Sequence, residues 1–440
     1  MRIRRLLSRC LPFVALALPP LGAAAAQIRP PSAAPPAGPP VSAPAEPGSD
    51  LAVSLLTMGV GEQVWEQFGH NAIWIHVERP PSSGGPVDAV YHWGLFDSSQ
   101  PYFIPRFLKG RMLYSMGGFD LGSTLQEYRA RDRAVWAQEL DLTALQKVAL
   151  RDYIVWNAQP EHRDYYYDYY RDNCSTRVRD ALDRALGGII RATFSGRMTD
   201  QTNRSHTLRL TQVNPLLAAG IDVGLGRPAD RPLSAYEEMF LPRKLHDYVR
   251  ELRVTDERGT TRPLVKSERQ LLPSQTHVEP LQPPHWTALF LTIGIVLGAL
   301  FAVVGVRAAR GNTAARYAAG ALFALWALGA GILGTLLFLL WTFTHHTFAH
   351  QNENLLLFHP LWLALVVLAP MATLRGRFAR ATRALGALVA ALAIVAILLH
   401  VVGLSRQANL DIIGLALPPI VALAWSVHRQ TAPARGLSTR

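Results

Sequence analysis

A chain of 440 residues has room for two or three domains, and 49% hydrophobic against 17% charged residues makes one of them read as membrane-embedded. The formal charge of +12 does not signal a nucleic-acid partner: residues 27–285 carry 29 Lys+Arg against 30 Asp+Glu, and the excess lies at the amino terminus and among the apolar segments of the last third. There are two cysteines, Cys10 and Cys174; once Cys10 leaves with a leader, no disulfide can form within the chain.

Residues 1–26 read as a signal peptide, with Arg2, Arg4, Arg5 and Arg9 ahead of LPFVALALPPLG and a small-residue GAAAA stretch for cleavage. Cys10 precedes the apolar run, which argues against a lipoprotein-type processing site. Residues 27–50, dense in Pro and Ala, read as a tether. A mixed domain is expected over 51–268. Strands are predicted at Leu51–Met58, Ala72–Val77, Tyr91–Gly94 and Ala134–Leu140. A helix then starts at Thr143 with Gln146 completing a capping box. A second helix starts at Asn173 or Asp172, with Val178, Ala181, Leu182, Ala185 and Leu186 on one face and Gly187 and Gly188 as its stop. Strands first and helices after them spell α+β and not a doubly wound sheet.

Residues 269–285, with four prolines, form a second linker. Five apolar segments follow, at about 287–306, 317–341, 355–374, 385–403 and 410–427, each near the length that crosses a bilayer. They predict an all-α bundle of five transmembrane helices over 286–428, with a tail at 429–440. Arg307, Arg310 and Arg316, then Arg375, Arg377, Arg380 and Arg383, then Arg429, Arg435 and Arg440 mark the cytoplasmic side. The mixed domain is thereby placed outside the cytoplasm, as the signal peptide independently requires.

Cys174 falls in the first turn of its helix, where unpaired N–H groups and the dipole favour thiolate over thiol. A cysteine nucleophile needs a base and a group to orient the base. His70 heads the strand HNAIWIHV, whose alternation puts His70, Ala72, Trp74 and His76 on one face and Asn71, Ile73, Ile75 and Val77 on the other. His92, on the following strand, is the candidate orienting group. The same three residues also fit a packed thiol among ordinary sheet histidines.

FGHNAIWI, VYHWGLFD, FLKGRMLYSM, DYYRDNCSTRVRD and MFLPRKL resemble, in order and in approximate spacing, the amino-terminal periplasmic domain of the Lnb-type lipoprotein N-acyltransferases. WTFTHHTFAHQNENLLLFHPLW is similar to the membrane part of the same family. The resemblance implies a circularly permuted papain-like fold of the NlpC and lecithin:retinol acyltransferase kind, with His70 as base and Cys174 as nucleophile. Where the family pattern usually has Asn, this chain has His92. The implied activity moves an acyl chain from a phospholipid, through a cysteine thioester, to the α-amine of a diacylglyceryl-cysteine lipoprotein, with no cofactor. The rival readings are a papain-like amidase acting on cell-wall peptide and a non-catalytic lipid- or lipoprotein-binding protein.

The tyrosine run of Tyr165, Tyr166, Tyr167, Tyr169 and Tyr170 fits either a membrane interface or packing under a sheet. Between the second and third apolar segments, His345, His346, Asn352 and Asn354 either cap helix ends at the membrane interface or are substrate-binding groups that guide the lipoprotein amine. His346 and His350 are spaced i, i+4, but a closed metal site wants further ligands, so no metal is expected.

Overall fold

Alternating branched and aromatic residues build a seven-stranded sheet from β1 (Leu51–Met58), β2 (His70–Val77), β3 (Asp88–Leu95), β4 (Leu113–Phe119), β5 (Val135–Leu140), β6 (Asp164–Tyr166) and β7 (Val265–Leu272). Its order is β7-β5-β1-β2-β3-β4-β6, with every neighbouring pair antiparallel. The computed structural model describes residues 46–77, 88–255 and 259–431. The expected leader, most of the first linker and most of the carboxyl-terminal tail lie outside the described residues.

Both faces of the sheet are covered, so its central strands are apolar on both sides. Helices α1 (Phe103–Lys109), α2 (Leu121–Ala130), α3 (Ala144–Asn157) and α4 (Cys174–Ala185) are spread between and after the strands. One face packs Val53, Leu55, Ile73, Ile75 and Trp93 against Leu150 and Ile154 of α3 and Val178, Ala181 and Leu182 of α4. The other packs Leu56, Ala72, Trp74, Val90 and Val135 against Tyr128 and Leu125 of α2. Thr143 caps α3 through the predicted box with Gln146. The strand Val265–Leu272 pairs with β5 and carries the sheet into the stretch expected to be linker.

The architecture is α+β with a helical region after it. Helices at Thr287–Ala309, Thr313–Phe343, Ala379–Val401 and Leu410–Thr431 are long and apolar enough to cross a membrane. The third predicted span differs. Residues 353–356 form a 3-10 turn and the following helix, Trp362–Arg375, has 14 residues. At 1.5 Å per residue that is about 21 Å, short of a hydrocarbon core of about 30 Å. The first and last of these helices pack closely, with Gly294 and Gly298 against the backbone of Gly414 and Pro418, the small-residue contact that brings helices together in lipid.

Candidate active site

The start of α4 is held on three sides. Asn173 is its N-cap: Oδ1 accepts from the Thr176 N–H at 2.9 Å, while Nδ2 donates to the carbonyls of Tyr169 and Phe240, each at 2.9 Å. Asp172, the other sequence candidate, instead pairs with Arg177. Ser175 Oγ lies 2.8 Å from Asn71 Oδ1 and 2.7 Å from the Met239 carbonyl, so its proton is shared between strand β2 and the MFLPRKL segment. Asn71, fully buried, also donates to Thr57 Oγ1 at 2.9 Å and to the Leu56 carbonyl at 3.2 Å. The residue after His70 is thus bonded to the residue after Cys174, and this link fixes the helix start against the head of β2.

Cys174 is half-buried. The N–H groups of Asn71, Ser175 and Cys174 itself face its sulfur and favour the thiolate, as does the charge of Arg133. Burial outweighs them, and the thiol is pushed above its ordinary value. The expectation of a lowered pKa is therefore reversed: the dipole effect is present, but loss of water around the sulfur is larger.

His70 and His92 meet directly. His70 Nε2 and His92 Nδ1 are 3.0 Å apart, with the rings stacked at 5.2 Å and 14°. Pairing of Ala72 with His92 puts the latter on the face of Ala72 and Trp74, where Phe119 packs edge-on against it. Burial holds His70 well below the usual histidine range, helped by His92 and Arg133, and burial holds His92 down at about 4. Both rings are neutral at pH 7, so one nitrogen of the pair donates and the other accepts. His92 Nε2 is buried and has no hydrogen-bond partner among the described residues. If His70 carries its proton on Nε2 and donates to His92, its Nδ1 is left as a free base; in the opposite tautomers His70 Nε2 accepts from His92 and Nδ1 carries the proton, so no basic nitrogen is free for the thiol. Among the described residues His70 bonds to His92 and not to the thiol, which adjoins the pair through the Asn71 backbone N–H.

Arg133, Gly94 and Tyr114, all at the site, carried no signal of their own in the sequence. Arg133 donates to the Gly59 carbonyl at 3.0 and 2.8 Å, lies over the Tyr128 ring and sits 3.6 Å from buried Glu66. Gly94 has φ 86°, and a Cβ built there would stand 3.4 Å from Cys174 Cβ and 3.8 Å from the Tyr167 ring. Tyr167 stacks on Tyr114 at 4.2 Å, and both phenols are raised chiefly by burial and then by the nearby thiol charge, Tyr114 to about 12. The tyrosine run divides. Tyr165 is buried in the core, Tyr170 packs on Phe240 and Phe348, and Tyr166 and Tyr169 are exposed.

The loop after the second membrane helix docks on the sheet domain and does not reach Cys174. Asn352 donates to the carbonyls of Val223 and Gly224 at 2.8 and 3.0 Å. Asn354 donates to Val223 at 3.0 Å and accepts from Asn409 at 2.7 Å. Both are buried, and their amides are taken up by protein partners. His346 Nε2 is 3.0 Å from the Phe107 carbonyl and His350 Nε2 is 3.1 Å from the Thr344 carbonyl, so each ring already has a backbone partner. His345 is exposed, and its backbone N–H donates to Lys109. His400 bonds Asn409 at 2.8 Å and lies 3.2 Å from Ser405, whose hydroxyl donates to Glu353.

Fold and site define a membrane protein with several apolar helices and an α+β domain that carries a half-buried cysteine at a helix start beside a buried histidine pair. Residues 46–209 match the Lnb N-terminal periplasmic domain and residues 282–425 match the Lnb transmembrane domain. In both of its domains the chain belongs to the Lnb-type family, as a membrane protein with a periplasmic domain. No curated protein and no solved structure matches it.

Proposed function

We propose that the protein is a cysteine-dependent lipoprotein N-acyltransferase of the inner membrane. The observation that carries this reading is the seating of Cys174 at a capped helix start, on the Asn71 amide beside the His70–His92 pair, in a chain with both Lnb domains. In the first half-reaction His70 Nδ1 takes the thiol proton as the sulfur adds to the ester carbonyl of a phospholipid. His92 accepts from Nε2 and orients the ring. The N–H groups of Cys174 and Asn71, one from the helix and one from the strand, are the donors for the oxyanion. Collapse breaks the ester C–O bond, the proton passes from His70 to the leaving oxygen, and lysophospholipid departs from the thioester. In the second half the neutral α-amine of a diacylglyceryl-cysteine attacks the thioester carbon, His70 takes the amine proton and the released sulfur recovers it.

The neutral ground state of Cys174 and His70 suits this scheme, since a base must be unprotonated to begin and a thiol must hold its proton to give it. A permuted papain-like arrangement of the sheet domain and five membrane crossings belong to the same proposal, the short third helix crossing with the help of the 353–361 segment. His345, exposed on the loop, is the remaining candidate for guiding the amine.

The test is the amino-terminal mass of lipoproteins from cells with and without the protein. An added acyl chain is expected with the wild type and none with Cys174→Ala at equal membrane abundance. Full N-acylation with Cys174→Ala would overturn the proposal, and muropeptide cleavage without lipoprotein change would point to an amidase.

A further inference from the structure

The helix α1 has no buried residue. Ile104 and Leu108 are each 61% exposed, and Tyr102 and Phe107 stand beside them at 75% and 44%. Exposed large side chains scattered singly are ordinary, but four on one short segment need a partner. What that partner is follows from where α1 is pinned. The Lys109 carbonyl accepts from the His345 N–H at 2.8 Å, and the Phe107 carbonyl is 3.0 Å from His346 Nε2. His345 lies two residues beyond Phe343, the last residue of the Thr313–Phe343 helix, and the end of that helix is apolar and outward-facing, with Trp341 and Phe343 exposed at 41% and 70%. The apolar side chains of α1 therefore continue the lipid-facing surface of a membrane-crossing helix at the level where it leaves the hydrocarbon. Lys109 and Arg111 are exposed on the same segment, cations of the kind that pair with lipid phosphates beside an inserted apolar face.

A run of rings leads from α1 to the thiol. Phe107 and Phe103 are 6.4 Å apart, Phe103 and Phe96 6.2 Å, Phe96 and Tyr114 5.4 Å, and Tyr114 and Tyr167 4.2 Å. Tyr167 closes the run against Cys174 at Gly94. These rings offer continuous apolar contact from α1 to the thiol.

We infer that α1 inserts into the leaflet facing the periplasmic domain, and that the Phe107-to-Tyr167 run is the track along which a phospholipid acyl ester is drawn to Cys174. The track rests on the acyltransferase reading; the insertion of α1 does not. The first experiment places a nitroxide at Leu108→Cys in full-length protein carrying Cys10→Ser and Cys174→Ala, reconstituted in vesicles of phosphatidylethanolamine and phosphatidylglycerol. Phe343→Cys serves as the membrane reference, and Leu145→Cys, 72% exposed on α3, as the water reference. Insertion predicts that oxygen relaxes the Leu108 label more than a water-soluble nickel chelate does, as at Phe343. A label behaving like that at Leu145, or one shielded from both relaxants as in a protein interface, overturns it.

The second experiment compares Leu108→Glu with wild type for acyl capture by Cys174. A loss of about tenfold is expected with vesicle phospholipid, from the cost of a carboxylate in the interface, with no loss for a monomeric short-chain phospholipid. Equal losses on both substrates, or none on either, overturn the track. If wild type captures neither lipid, the acyltransferase reading fails while the depth measurement still decides the insertion.

Discussion

Replacing His92 with alanine removes the acceptor that holds His70 in its Nε2–H form, and should slow proton removal from Cys174 by about 5- to 150-fold. The magnitude follows from the 3.0 Å bond between two largely buried rings. A buried donor left without its acceptor costs about 1–3 kcal/mol, and 1.4 kcal/mol is about tenfold. Asparagine offers a carbonyl oxygen in place of Nδ1, so His92→Asn should recover most of the rate. The assay is alkylation of Cys174 by iodoacetamide in detergent near neutral pH, followed by intact mass, with thermal midpoints recorded for each variant and His70→Ala as the floor. Because burial raises the Cys174 pKa, little thiolate exists at that pH without the base. An alanine variant at the wild-type rate would refute the tautomer argument. So would an asparagine variant no faster than alanine at an unchanged thermal midpoint.

In His70→Ala, alkylation of Cys174 should climb only above the ordinary thiol range of about 8.5, because burial raises the thiol; a rate already at plateau near pH 7 would contradict this. His92 has a folded pKa of about 4 against about 6.5 unfolded, so the unfolded chain binds the proton first; its contribution to stability is present above about 6.5 and is lost as pH falls toward about 4. His92→Asn should flatten that acid loss in a denaturation series across the window. Gly94→Ala combines a strained positive φ with a Cβ against Cys174, and should cost about 1–3 kcal/mol in unfolding experiments together with most of the alkylation rate. Asn354→Leu orphans the Asn409 amide, at about 1–3 kcal/mol, while the Val223 carbonyl keeps Asn352 as donor, and should speed protease release of the sheet domain from the membrane helices.

The sequence carried strand β1 to the residue, the core of β2, β3 and β5, the Thr143 capping box and the placement of Cys174 in a first turn. These are local signals: period-2 alternation, a cap and a helical stripe lie within a few residues of one another. Strands β4 and β6 were hidden because Gly117 and Gly118 interrupt one and the other is three residues of an aromatic run. Strand β7 was hidden because only its pairing with β5, over a hundred residues earlier, makes it a strand. At the site, residue types were legible while their burial was not, which is why the helix-start argument gave the wrong direction for the thiol. Asn352 and Asn354 looked free for substrate because nothing in the loop reveals that the Val223 and Gly224 carbonyls wait for them. Gly226 shows how close that docking is: a Cβ there would lie 2.0 Å from the His350 carbonyl oxygen.

The most direct measurement is the intact mass of purified wild-type protein after incubation with phospholipid, before and after hydroxylamine. One added acyl mass is expected on Cys174, removed by hydroxylamine, absent in Cys174→Ala and in His70→Ala, and transferred to a diacylglyceryl-cysteine peptide when one is supplied. N-acylation of that peptide with no acyl adduct at Cys174 at any time, or equal N-acylation by Cys174→Ala, would contradict this expectation.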